Sequence, residues 1–235
     1  MSRGRRYEER KLNLKKVFAV ILAFVVIIMS IFVIHGILSK EEKTGGITSK
    51  TYFSAYKDNK WGVIDENGET VIEPSYEEMI IIPDNKTDIF LCTYDVNYDT
   101  GEYSTKALNS ENKEIFTDYT KIEAISNTDK NNNLWYEKNV LKVQKDGKWG
   151  TINSEGQQLL NTEYDSITAI QGIENTLLIQ KDGKYGVANN EGRIILDVAY
   201  TEITNLGDDI TAGYIVKDDT GLYGIVDNSK NVVLA

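Results

Sequence analysis

Lys145-Asp146-Gly147-Lys148-Trp149-Gly150 and Lys181-Asp182-Gly183-Lys184-Tyr185-Gly186 are two copies of one hexapeptide. The first follows an alternating run, Leu141-Lys142-Val143-Gln144, and the second follows Leu177-Leu178-Ile179-Gln180. Asp-Gly between such runs predicts a two-residue β-hairpin turn, because both turn positions need φ > 0 and glycine takes it at no steric cost. A third copy is Lys57-Asp58-Asn59-Lys60-Trp61-Gly62, and Thr220-Gly221-Leu222-Tyr223-Gly224 is a fourth with altered spacing.

Working outward, each copy carries the same ruler. Seven residues after the aromatic comes a turn residue, Gly68, Gly156, Gly192 or Lys230. Fifteen residues after it comes Tyr76, Tyr164 or Tyr200, followed three positions on by Met79, Ile167 or Ile203. The ruler also finds a worn copy with Thr105-Lys106 in the aromatic-glycine slot, Asn112 in the turn slot, then Tyr119 and Ile122. Five units therefore begin at slots 61, 105, 149, 185 and 223. Repeats at such periods predict small units that bury their faces against their neighbours. Each unit reads as about three strands, with a fourth near Tyr-x-x-Ile. The strand from Tyr185 should alternate Tyr185 and Val187 against Gly186 and Ala188. Glycine beside the aromatic suits a close approach by another backbone or ring, and the aromatic is expected to fill space between units rather than stack on a ligand.

Residues 17–38 are almost wholly apolar and uncharged, long enough to cross about 30 Å of hydrocarbon as a helix. The sixteen residues before them hold seven cations (Arg3, Arg5, Arg6, Arg10, Lys11, Lys15 and Lys16) against Glu8 and Glu9, whereas Lys40-Glu41-Glu42-Lys43 is balanced. The positive-inside rule then predicts residues 1–16 as a cytoplasmic basic tail, 17–38 as a transmembrane helix in the plasma membrane, 39–50 as a linker and 51–235 as an extracytoplasmic β domain. A cleaved signal peptide is the competing reading, but the apolar run is too long and lacks an obvious small-x-small cleavage site. Ser30 and His35 are polar groups within the run, and His35 lies in its last turn, within reach of interfacial water.

Beyond the tail lie 19 of the chain's 26 Lys and Arg and 34 of its 36 Asp and Glu, a net charge near −15. That disfavours nucleic acid, whose phosphates need a basic patch. Cys92 is the one cysteine, so no intrachain disulfide is available, and in Ile89-Phe90-Leu91-Cys92 it reads as a small buried hydrophobe. Asp95-Val96-Asn97-Tyr98-Asp99-Thr100-Gly101 resembles the start of a calcium loop, but its glycine comes one place late and Lys106 stands where a bidentate glutamate belongs. A long hairpin, 90–98 with 103–108 turned at 99–102, is the preferred reading. No phosphate loop, catalytic triad or Cys/His metal spacing is present, so neither catalytic residues nor a cofactor or metal is expected.

Lys-Trp-Gly and Lys-Tyr-Gly at these spacings, with the downstream turn glycine and Tyr-x-x-Ile, resemble the WG (KWG) repeat family of bacterial proteins. The resemblance runs from about Tyr52 to the C-terminus. Its signature positions are Trp61, Gly62, Trp149, Gly150, Tyr185, Gly186, Tyr223, Gly224, Tyr76, Tyr119, Tyr164 and Tyr200, with the second unit degenerate and the fifth truncated. It implies an all-β repeat domain and no catalytic residues. The fifth unit's tyrosine would fall beyond Ala235, and residues 51–56 are needed as the first strand of unit one. An open solenoid-like array is therefore expected over a closed β-propeller. The functional expectation is a membrane-anchored binding or scaffolding module for a protein or envelope partner, the alternative being an envelope or glycan hydrolase using paired carboxylates.

Overall fold

In the computed structural model the described residues are 50–207 and 212–234. The expected basic tail, membrane helix and nearly all of the linker lie outside them. Among the described residues no helix is long and apolar enough to cross a membrane.

Five small antiparallel sheets follow one another along the chain. The first holds β1 (Tyr52–Lys57), β2 (Lys60–Asp65) and β3 (Thr70–Tyr76), and the second β4 (Phe90–Asn97), β5 (Glu102–Leu108) and β6 (Glu114–Ile115). The third holds β7 (Lys121–Thr128), β8 (Leu134–Lys145), β9 (Lys148–Ile152) and β10 (Gln158–Tyr164). The fourth has β11 (Ser166–Ala169), β12 (Leu177–Lys181), β13 (Lys184–Ala188) and β14 (Ile194–Tyr200); the fifth has β15 (Glu202–Asn205), β16 (Tyr214–Lys217), β17 (Tyr223–Val226) and β18 (Val232–Leu234).

The hairpin turns form where Asp-Gly and Asp-Asn stand. Asp58 and Asn59, Asp146 and Gly147, and Asp182 and Gly183 all have φ between 51° and 78°, the mirror-image turn that matches strand twist. All five turn slots of the ruler also take positive φ: Gly68, Asn112, Gly156, Gly192 and Lys230. Each of these turns is tied by a residue four places after the aromatic slot. Asp65, Asn109, Asn153 and Asp227 each accept two backbone N–H bonds on Oδ1, from residues two and four further on, at 2.8–3.1 Å. Asn189 accepts that of Arg193. This Asx position holds in all five units, including the worn one, and sequence reasoning missed it.

The fourth strand near Tyr-x-x-Ile exists, but it belongs to the next sheet. Tyr76, Tyr164 and Tyr200 end the last strand of one sheet, while Ile122, Ile167 and Ile203 lie on β7, β11 and β15, which open the next. A sheet thus combines the tail of one repeat with the body of the following one. The first sheet has three strands, and the second has only the bridge Ile81↔Leu91 in place of an opening strand. The fifth sheet has its fourth strand in short form, three residues against seven in β10 and β14.

Strict alternation of exposed and buried residues along β13 is not found: Gly186, Val187 and Ala188 are all buried. The reason is stacking. Val187 enters the apolar cluster with Leu196, Tyr214 and Val216, between sheets four and five, whereas Ala188 enters that with Ile125, Val140 and Leu160, between sheets three and four. Two further clusters join sheets two and three through Leu91, Ile122 and Val143, and sheets one and two through Val63, Phe90 and Leu108. Every one of the four clusters joins consecutive sheets.

Candidate functional site

Signature positions separate by role once placed. Trp61, Trp149 and Tyr185 stand opposite Tyr76, Tyr164 and Tyr200 where β2 pairs with β3, β9 with β10 and β13 with β14. Between those pairs and the next ones the register shifts: Trp61↔Tyr76 is followed by Val63↔Ile72, so the third strand carries two extra residues. This bulge passes directly over the glycine. A Cβ on Gly62 would lie 2.4 Å from the Ile72 carbonyl oxygen, on Gly150 2.6 Å from that of Leu160, and on Gly186 2.8 Å from that of Leu196. Glycine is required here because of the crossing backbone.

The rings are half-buried. Trp61, Trp149 and Tyr185 each pack on the cluster that joins their sheet to the next. Lys142 Nζ lies 4.3 Å from the Trp149 ring centroid. The motif lysines pair with the acid after the tyrosine, Lys60 with Glu77 and Lys148 with Asp165. Tyr223 is 56 % exposed, under Lys217 at 4.9 Å, and Gly224 is half-buried beside it.

Unit two departs from this plan in a coordinated way. β6 stops at Ile115, Phe116 takes φ 59°, and Tyr119 lies in the following loop, packed on the cluster between sheets two and three. No seven-residue third strand bulges over position 106, so Lys106 stands there without the conflict that forbids a side chain at Gly62. Thr105 occupies the aromatic slot, and its Oγ1 accepts the Ile122 N–H at 2.8 Å.

Where the aromatic is missing, a groove of about 630 Å³ opens between sheets two and three, lined in part by Thr105, Ile122 and Leu91. That volume is within the range of about 300–1,000 Å³ seen for ligand pockets. Two hairpins flank it, β4–β5 with Tyr98 and Tyr103, and the long β7–β8 with Leu134 and Tyr136. Met79, Tyr98 and Leu134, all of them lining residues, are 47 %, 74 % and 59 % exposed. The lining residues include Glu78 and Glu123 and no cation. Tyr98 Oη donates to Glu78 at 2.7 Å, and Tyr103 Oη donates to Glu123 at 2.8 Å. The Glu123 bond pushes the Tyr103 phenol up to about 12, since it favours the neutral donor. Lys142 pairs with the other Glu123 oxygen at 2.9 Å.

Cys92 is fully buried in the cluster between sheets one and two, and burial pushes its thiol up to about 11. The segment from Asp95 is the expected hairpin, with its turn one residue earlier than expected: the strands end at Asn97 and resume at Glu102. Asn97 Oδ1 accepts the N–H groups of Asp99 and Thr100, so that oxygen is committed to the turn. Among the described residues no three His, Cys, Asp or Glu side chains gather as a metal site. Sequence reasoning also missed a buried carboxylate, Glu137, which binds only neutral amides: Asn127 and Asn190 Nδ2 and the Asn175 N–H, each at 2.9 Å. It pins the β7–β8 hairpin to loops of sheet four.

Small antiparallel sheets stacked in series define an all-β repeat protein. Residues 61–83 and 149–185 match the model of the WG containing repeat, which supports the WG repeat family. Neither match includes the worn unit at Thr105. No curated protein matches the chain.

Proposed function

We propose that the chain is a membrane-anchored binding or scaffolding module that recognises a protein or envelope component. The observation that carries this reading is the groove between sheets two and three, where the repeat plan is broken and apolar side chains are left exposed around it. Stacked repeats lend themselves to this use, because each unit is held by its neighbours while its hairpins vary freely. In this proposal residues 17–38 span the plasma membrane, the N-terminal tail is cytoplasmic, and the five sheets form an open array outside. Among the described residues no apolar cluster joins sheet five back to sheet one, which favours openness.

A hydrolase with paired carboxylates would need a general acid with a raised pKa. The displaced carboxylates here move the other way. The Lys181 hydrogen bond holds Glu163 below the usual range, and that of Lys148 does the same for Asp165. The test has two parts. Protease added to intact cells should digest the repeat domain and spare residues 1–16, and envelope extract should yield a partner that moderate salt releases. A protected repeat domain sinks the topology, and recovery of anionic polysaccharide alone, or turnover of a glycan, sinks the binding role.

A further inference from the structure

We infer that the groove at Thr105 receives a tryptophan side chain presented by a basic, flexible peptide segment of a partner protein. This rests on the binding-module reading and names its site and ligand. The chain itself shows what suits such a slot. In units one, three and four the same position holds Trp61, Trp149 or Tyr185, packed on the cluster that joins its sheet to the next. At Thr105 the slot has no ring of its own, and the cluster beneath it, with Leu91 and Ile122, borders the groove. A partner's indole laid there would restore the contact that the other units make internally, with Tyr98 and Leu134 as exposed lips to close over it.

The sign of the flanking charge comes from Glu78, since Glu123, the other acid of the lining, is already paired with Lys142. The whole chain carries a net charge of −10, which steers a cationic segment toward it. Lysines beside the tryptophan would reach Glu78 and also stack on exposed tyrosine rings, as Lys121 does over Tyr103 at 4.0 Å within the chain.

The test is calorimetric titration of the full chain in detergent with the capped pentapeptide Gly-Lys-Trp-Lys-Gly and with its Trp→Ala counterpart. The tryptophan peptide should bind, more weakly as salt rises, and the alanine peptide should bind at least about thirtyfold less tightly. Thr105→Trp fills the slot from within and should abolish binding. Because that change also removes the bond to Ile122, Tyr98→Ala, on an exposed ring, provides a second variant and should weaken binding about tenfold. Equal binding of the two peptides, or wild-type affinity in both variants, overturns the inference. So does tighter binding of a chitin-type oligosaccharide that both variants lose, since the groove would then be a sugar site. Capture of an envelope partner unaffected by Thr105→Trp would remove this inference and leave the binding role standing. Failure to capture any partner, with the peptide still bound, would overturn the binding role and the partner named here with it, leaving only a groove that accepts tryptophan.

Discussion

Gly150→Ala isolates the crossing-strand argument. Gly150 lies within β9, and the added methyl carbon would sit 2.6 Å from the Leu160 oxygen and 2.8 Å from both Asn161 C and Thr162 N. All three are backbone atoms, so no side chain can swing aside. Ordinary contact begins at 3.4 Å, so the β10 bulge must retreat by about 0.8 Å. Overpacking of this kind costs about 1–3 kcal/mol, and a ladder hydrogen bond stretched by the retreat adds about 1 kcal/mol. A loss of about 3 kcal/mol is expected. Gly147→Ala is the control, because its φ of +77° is unfavourable to alanine but nothing lies within 4 Å, and about 1–2 kcal/mol should be lost. Urea denaturation followed by circular dichroism measures both. Hydrogen exchange should place the Gly150→Ala damage in sheet three and its junction with sheet four, since neighbouring units are the only ones a repeat leans on. If Gly150→Ala costs no more than Gly147→Ala, the bulge does not dictate the glycine and the reasoning fails.

Thr105→Ala removes the acceptor of the Ile122 N–H and should cost about 1–3 kcal/mol, while Thr105→Ser keeps it; equal losses in denaturant titrations would refute the role given to Oγ1. Hydrogen bonds from the Asn133 backbone, the Thr220 side chain and the Asn231 side chain hold Asp129, Asp218 and Asp227 below the ordinary carboxylate range. A folded-state pKa below the unfolded value gives stability that is present above about pH 4 and lost as pH falls through the folded pKa. Acid titration should therefore show stability declining below about pH 4, with a shallower decline when the three are changed to Asn; an unchanged slope would count against it. Cys92, buried and poorly ionised, should react with a thiol reagent at pH 8 only as fast as the domain opens, and rapid labelling of the native protein would contradict its placement.

Local chemistry made much of this protein legible before any fold was known. The paired turn residues at 58–59, 146–147 and 182–183 and the slots at 68, 112, 156, 192 and 230 depend on which residues accept φ > 0, a property of a few adjacent positions. The Asx residues at 65, 109, 153, 189 and 227 were equally local, and tabulating the fourth residue after each aromatic would have found them. What the chain order could not disclose was the allotment of strands to sheets. Tyr164 and Ile167 look like one motif, yet a sheet boundary runs between such pairs, because the second member sits on a strand that pairs with a later one, as Ile167 does with Ile179. The bulge over Gly62, Gly150 and Gly186 is of the same kind, a contact between strands. Thr105 reads in sequence as a worn repeat, and only the stacking of sheets two and three turns the missing ring into a groove, since an empty volume is defined by the surfaces around it and by no single segment.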